Sequence, residues 1–449
     1  MISPHGFVRN ERVKIMNEVN ERKGVRIIKS VTSRKTCLCL FWIILFLMQN
    51  RLQQWFEPFQ YVDELFALLI VPIFLFRRVR EKYMLVWTKK KVIFSVLLLI
   101  FWLCGWGGYF LYHYQPLTNA AKDAYVNVKF FMAVGASFLM FDCKDLDFDE
   151  LKRRLWPVLK GIAILLFVLC LADLCFGIFS TETRGGMRAV KLFYSTYTIL
   201  VGLCAFLSAL CLWFYEQQQK RIIPLLAMLS FVMYTTRRVK AMGAVACILL
   251  VYLFVFNKRH IINKKVRILA GCILGIAVIA GLYQIIWYYF TLRYESARAV
   301  LTIAAPFIAV DHFPFGTGWG AYASAFSVEP YSPVYGIYGM SSVWGISQAN
   351  HSFISDTYWP MILGQCGILG FAAFLGALAL FVRKALTLKT DKNAYAAVLI
   401  SLLYLLISSS SESALVNPIA VPFAFLIGLL LAEKKVREEK SRRLASERK

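Results

Sequence analysis

Apolar runs long enough to matter to a bilayer recur along nearly the whole chain, each ended by a short polar stretch. A helix that spans a hydrocarbon core needs about 20 mostly apolar residues, and twelve segments approach that pattern: 36–49, 59–76, 92–112, 125–141, 156–179, 190–215, 222–236, 241–256, 266–290, 357–382, 394–411 and 415–432. The pattern therefore predicts an all-α, polytopic integral membrane protein of twelve transmembrane helices. In the first two runs the strictly apolar stretches, Cys37–Met48 and Leu65–Phe76, are short. Reading 222–256 as one helix would give a rod of about 50 Å at 1.5 Å per residue, too long for one crossing. It would also move the basic loop Lys258-Arg259…Lys264-Lys265…Arg267 to the other face, so a hairpin turning near residue 237 is the better reading.

The length of 449 residues, 59% hydrophobic content and mean hydropathy of +0.59 agree with a membrane chain. A formal net charge of +25 alone is compatible with nucleic-acid binding, but the cations are dispersed in short loops between spans, which argues against it. Most of the 51 Lys and Arg fall on one side when spans are counted from the N-terminus, and the positive-inside rule then puts both termini in the cytoplasm. The expected organisation is a basic cytoplasmic segment at 1–35 that resembles an interfacial anchor, a membrane domain at 36–432, a large extracytoplasmic loop at 291–356 inserted within it, and a basic tail at 433–449. The charged stretches Asp142–Arg154 and Glu433–Lys449 read as solvated loops. Eleven cysteines and five histidines are scattered without metal-ligand spacing, so neither a metal nor another cofactor is expected.

Against that charge bias, Arg237-Arg238-Val239-Lys240 places three cations between two apolar runs on the outward side. A dense outward cluster asks for an anionic partner, and Arg presents a planar fork that donates two bonds to a phosphate. Snorkelling into headgroups is the competing account. The long loop carries Arg298, near Arg293 and Glu295, and a surface ion pair with Glu295 is a bland alternative for it. The loop also carries Trp319, Tyr322, Tyr331, Tyr335, Tyr338 and Trp344, whose faces would stack on sugar rings or form an interfacial belt. Its Gly316-x-Gly318-x-Gly320 predicts a tight turn, one that would offer N–H groups to an oxyanion. His351, five residues before Asp356, is a candidate base because a neutral imidazole can accept a hydroxyl proton; His312 beside Asp311 is held in reserve.

Taken in order, Thr236-Arg237-Arg238, Arg298, the turn Pro314-Phe315-Gly316-Thr317-Gly318, His351 and Gly367-Ile368-Leu369-Gly370 resemble the O-antigen ligase and surface-polysaccharide polymerase superfamily. The motif-bearing likeness covers about 230–375, with topology alone matching elsewhere. The resemblance implies a metal-independent glycosyltransferase of the bacterial cytoplasmic membrane, acting outside on an undecaprenyl-diphosphate-linked oligosaccharide. Membrane lipid, a chain-length regulator and a flippase of the same pathway are the implied partners. By position, Arg238 and Arg298, with Lys240 and Arg237, would hold the diphosphate, and His351 would serve as base. Two positions depart from the family pattern: Ser352 stands where Asn often follows the His, and Gln365 where Glu often precedes the late glycines.

A polymerase of repeat units is the leading expectation. A ligase onto lipid A core or another acceptor is the alternative, and a lipid-linked oligosaccharide flippase is the second. Further polar residues in or near the outer halves of spans, Lys122, Asp123, Lys129, Asp173, Arg184, Arg188 and Lys191, are expected to wall a cavity or to pair, Lys129 with Asp173 for example.

Overall fold

The computed structural model describes residues 30–82, 84, 87–256 and 264–447. The segment expected to lie at the interface is thus mostly outside the described residues, as is much of the basic loop near 258–267. Among the described residues, the regular secondary structure is helical apart from one short hairpin. In order, the helices are α1 Ser30–Gln53, α2 Glu57–Arg80, α3 Lys89–Tyr112, α4 Leu117–Phe141, α5 Phe148–Phe176, α6 Tyr197–Trp213, α7 Tyr215–Thr235, α8 Val239–Phe256, α9 Lys264–Ile285, α10 Ala297–Asp311, α11 Pro333–Ile337, α12 Tyr358–Ala385, α13 Lys392–Ser408 and α14 Ala420–Glu447. Strands β1 Thr183–Arg184 and β2 Met187–Arg188 pair antiparallel around Gly185-Gly186.

Among the described residues, eight helices are long and apolar enough to cross a membrane, which makes this a multi-pass membrane protein. They include α1 and α2, whose apolar stretches in the hydropathy pattern are short. A helix also stands at each of the other segments that pattern marked, with α6, α13 and the apolar part of α7 as shorter pieces. The hairpin expected at 236–240 is present, between α7 and α8.

Periodicity explains the layering. α6 is apolar all round and buried from Leu200 to Trp213, so it stands in the interior, as an all-apolar helix must. The apolar N-terminal half of α14 is equally buried and packs along α4. Around these lie α3 against α12, α13 against α6 and α8, and α5 against α7. The apolar span Gly271–Thr291 has none of its hydrophobic window buried and touches mainly α8, as a lipid-facing element would. Helix starts are set locally: Asp147 accepts from the N–H of Asp149 and Glu150, Asp391 from those of Asn393 and Ala394, and Ser296 from that of Ala299.

The expected loop at 291–356 is a folded unit with its own helix α10. Trp319, Tyr322 and Tyr335 are fully buried. The loop's glycine turn inserts between α3 and α12, and this insertion explains the glycines. Gly318 has φ +91°, and a Cβ there would meet the Tyr109 nitrogen at 2.3 Å. Opposite, Gly367 breaks α12 with φ 65° and ψ −174°, a conformation open essentially to glycine alone, and a Cβ there would meet the Pro314 carbonyl at 2.4 Å.

Candidate functional site: a cationic cluster at the loop end of the bundle

The turn between α7 and α8 is built by its own side chains. Thr235 and Thr236 donate their hydroxyls to the carbonyls of Val232 and Met233, closing α7. Arg237 then takes φ +55° and reverses the chain, so Arg238 and Lys240 enter at the start of α8. The segment after the β hairpin is tied to this turn by the Val190 N–H, which donates to the Thr235 carbonyl.

Arg238 lies 4.8 Å over the ring of Tyr197, the first residue of α6, and Arg184 from the hairpin lies 5.4 Å from the same ring. Beneath them, Tyr197 Oη donates to Glu182 Oε2 over 2.6 Å and Arg184 Nε donates to Glu182 Oε1 over 2.7 Å. Those two donors, Tyr197 first, hold the Glu182 carboxyl below the usual carboxylate range. Arg238 is half-buried, its side chain makes no hydrogen bond or close ion pair among the described residues, and its Nε is buried without a partner. Burial first, and then the charge of Arg184, pull its pKa downward, with the Glu182 carboxylate opposing them. A guanidinium in that position is held as a cation without an acceptor of its own. Arg237 stacks 4.7 Å over Tyr234 and points an Nη2 at Met187 Sδ.

Lys240 Nζ donates to Glu412 Oε2 over 2.8 Å. Glu412 sits in the turn after α13 and is only 8% exposed, with Oε1 buried and unpartnered. Burial raises its carboxyl pKa, and Lys240 opposes the rise. Arg298, at the start of α10, donates from Nη2 to Asp356 Oδ2 over 2.7 Å and lies 5.1 Å from the Tyr288 ring. Its charge reaches both Arg238 and Glu412. Ser413 closes the assembly by donating its N–H and its hydroxyl to the Ser355 carbonyl. Arg184, Arg238, Lys240 and Arg298 thus come from distant parts of the chain to one end of the bundle, with three carboxylates among them.

Several expectations are corrected. Arg298 pairs with Asp356 and not with Glu295, because the base of the loop closes there. Asp356 is therefore engaged and does not orient His351. That His is exposed, its Nδ1 is 3.4 Å from the Gln348 carbonyl, and it touches none of the four cations. Lys129 pairs with Asp63, and with Glu64 over 3.1 Å, not with Asp173. Asp173 instead accepts the N–H groups of Phe179 and Ser180 beyond the end of α5.

The glycine turn offers no N–H to an oxyanion. Gly316 donates to the carbonyl of His312, Thr317 to that of Gly364, Gly318 to that of Gln365, Trp319 to that of Gly105, and Gly320 to Asp123 Oδ2. Nor are Trp319, Tyr322 and Tyr335 sugar platforms or belt residues, since they form the loop's core. His312 is caged by Tyr112, Tyr114 and Tyr338, with Nε2 3.2 Å from Tyr114 Oη, which makes it a packing group.

Glu182, Tyr197 and Glu412 are members that sequence reasoning missed. For Glu412 a signal existed: it is the only acid in the serine-rich break Ser408–Ser413 between two apolar runs. A groove of ≈ 380 Å³ runs between α10 and residues 338–343, lined by Val300, Ile303 and Phe307 among others; Arg298 is not among its lining residues. No protein-family model, characterised protein or solved structure matches the chain.

Proposed function

We propose that this protein is a membrane glycosyltransferase that polymerises undecaprenyl-diphosphate-linked oligosaccharide units into surface polysaccharide. In this reading it acts on the outer face of a bacterial cytoplasmic membrane. The observation that carries the reading is Arg238, a half-buried guanidinium whose side chain has no hydrogen-bond acceptor among the described residues, with only the Glu182 carboxylate, already held by Tyr197 and Arg184, to offset its charge, and backed by Arg184 and Arg298 at the end of the helices. A diphosphate headgroup supplies what such a cluster lacks, and its lipid tail would place it at that depth.

Transfer is displacement at the anomeric carbon. The diphosphate departs with the bonding electron pair, and cations already fixed around it stabilise the charge as it develops. Arg238 and Arg298 would bind phosphate oxygens, with Lys240 and Arg237 adding charge, and the exposed His351 would face the incoming acceptor. The same reading has all twelve predicted helices crossing the membrane and both termini in the cytoplasm. The basic residues of α14 at the far end of the bundle support that orientation.

Mass spectrometry of lipid-linked glycans in cells lacking the protein tests the reading, with leaflet location probed in parallel. Accumulation of single repeat units on the outer face is the expected result. Long polymer retained on its carrier would make the protein a ligase. Single units trapped on the inner face would make it a flippase.

A further inference from the structure

Within the transfer reaction just proposed, on which this inference rests, we propose that Glu412 accepts the proton of the attacking hydroxyl. Two geometric facts point there. Glu412 is a carboxylate more than nine-tenths buried within the cationic cluster, and only one of its oxygens is used. Oε2 takes the Lys240 ammonium, while Oε1 is buried with no donor, the position left for a hydroxyl that is about to lose a proton.

The alternative base is less well equipped. His351 is exposed, lies near the Gln348 carbonyl, and has no carboxylate to orient it among the described residues. Asp356 is consumed by Arg298.

The groups acting on Glu412 are Lys240 from the start of α8, Arg298 from α10, Asp356 from the segment before α12, and Tyr404 from α13. Lys240 opposes the rise that burial imposes on this carboxyl. Burial raises its basicity above that of a solvated Glu, toward what a base working near neutral pH needs. In the step itself, the acceptor oxygen forms its bond to the anomeric carbon as the anomeric carbon–oxygen bond to the diphosphate breaks. The electron pair of that bond remains on the phosphate oxygen beside Arg238, and the acceptor proton passes to Glu412 Oε1. No oxidant, reductant or further reactant is required.

The experiment compares full-length wild type, Glu412→Gln and Glu412→Asp in two ways: polymer made in cells lacking the chromosomal copy, and binding of undecaprenyl diphosphate by the purified proteins. Glu412→Gln keeps the shape and an acceptor for Lys240. It frees the Lys240 charge from a competing carboxylate, so it is expected to bind the lipid at least as tightly as wild type while polymer falls by about a hundredfold or more, the usual scale for a lost general base. Polymer at wild-type level would overturn the proposal. So would joint loss of binding and transfer, which would make the Lys240–Glu412 pair a part of the diphosphate site only. Should the Gln variant fail to accumulate, Glu412→Asp decides: reduced transfer with intact binding supports the role, and unreduced transfer or lost binding contradicts it. A wild-type protein that neither binds the lipid nor makes polymer would instead sink the glycosyltransferase reading itself.

Discussion

Arg298 and Asp356 are 58 positions apart in the sequence and 2.7 Å apart in space, and their ion pair closes the base of the long loop. Both side chains are roughly three-quarters buried. In the proposed reaction the carboxylate occupies the place on the guanidinium that a phosphate would take, so it would compete with the diphosphate.

Removing that competitor should strengthen anion binding. Asp356→Asn is expected to raise the affinity for undecaprenyl diphosphate by about three- to tenfold, up to ~1.4 kcal/mol. Titration of the purified protein with the lipid reads this. Unchanged or weaker binding would mean that Arg298 is a structural cation.

Glu412 sets an expectation for pH. A base works only when deprotonated, and burial raises this carboxyl. As pH falls, protonation therefore begins at a higher pH than for a solvated Glu, whose pKa is about 4.3. The acid limb of the rate profile should lie above that value and should persist in His351→Ala. A limb that disappears with His351 would transfer the role to the histidine.

Asp123 holds the folded loop on the membrane domain. Its carboxylate accepts the Gly320 N–H over 2.8 Å and the Ser324 hydroxyl over 2.7 Å, fully buried inside the protein. Asp123→Ala would orphan both donors at roughly 1–3 kcal/mol each. Limited proteolysis should then cut within 313–356 at protease levels that leave wild type intact. Equal resistance would show that the glycine turn alone holds the loop.

Which parts of this arrangement were legible in the sequence follows from the physics of each part. Hydrophobic runs locate helices well in a membrane protein, because a span must be both long and apolar, and even the short pattern at Leu65–Phe76 proved to lie within a 24-residue helix. The turn at Arg237–Arg238 was legible because three cations interrupt an otherwise apolar stretch.

Pairings across the fold were not legible. Lys129 had several acids at plausible depth, and the choice of Asp63 over Asp173 depends on α2 packing against α4. The glycines of 316–320 carried two readings, an anion cradle and a close approach of backbones. Their neighbours on α3 and α12 decide for the second, and those neighbours are far away in the chain. Glu412 stood in a serine-rich turn that reads as solvated, and only the fold reveals that Lys240 and the loop bury it.

Charge neutralisation at the leaving group is assigned to Arg238, Arg298 and Lys240, so chelation should not matter. Transfer in membranes treated with EDTA is expected at the untreated rate. Loss of activity restored by a divalent ion would require a metal in the mechanism.

The central claim is that Arg238, whose guanidinium has no hydrogen-bond acceptor of its own among the described residues, holds the donor's diphosphate, and the most direct measurement is polymer formation by Arg238→Ala and Arg238→Lys at matched membrane levels. The account predicts no polymer from the Ala variant. It predicts partial recovery with Lys, which restores the charge but not the two-pronged hydrogen bonding of a guanidinium. Full activity in Arg238→Ala would contradict it.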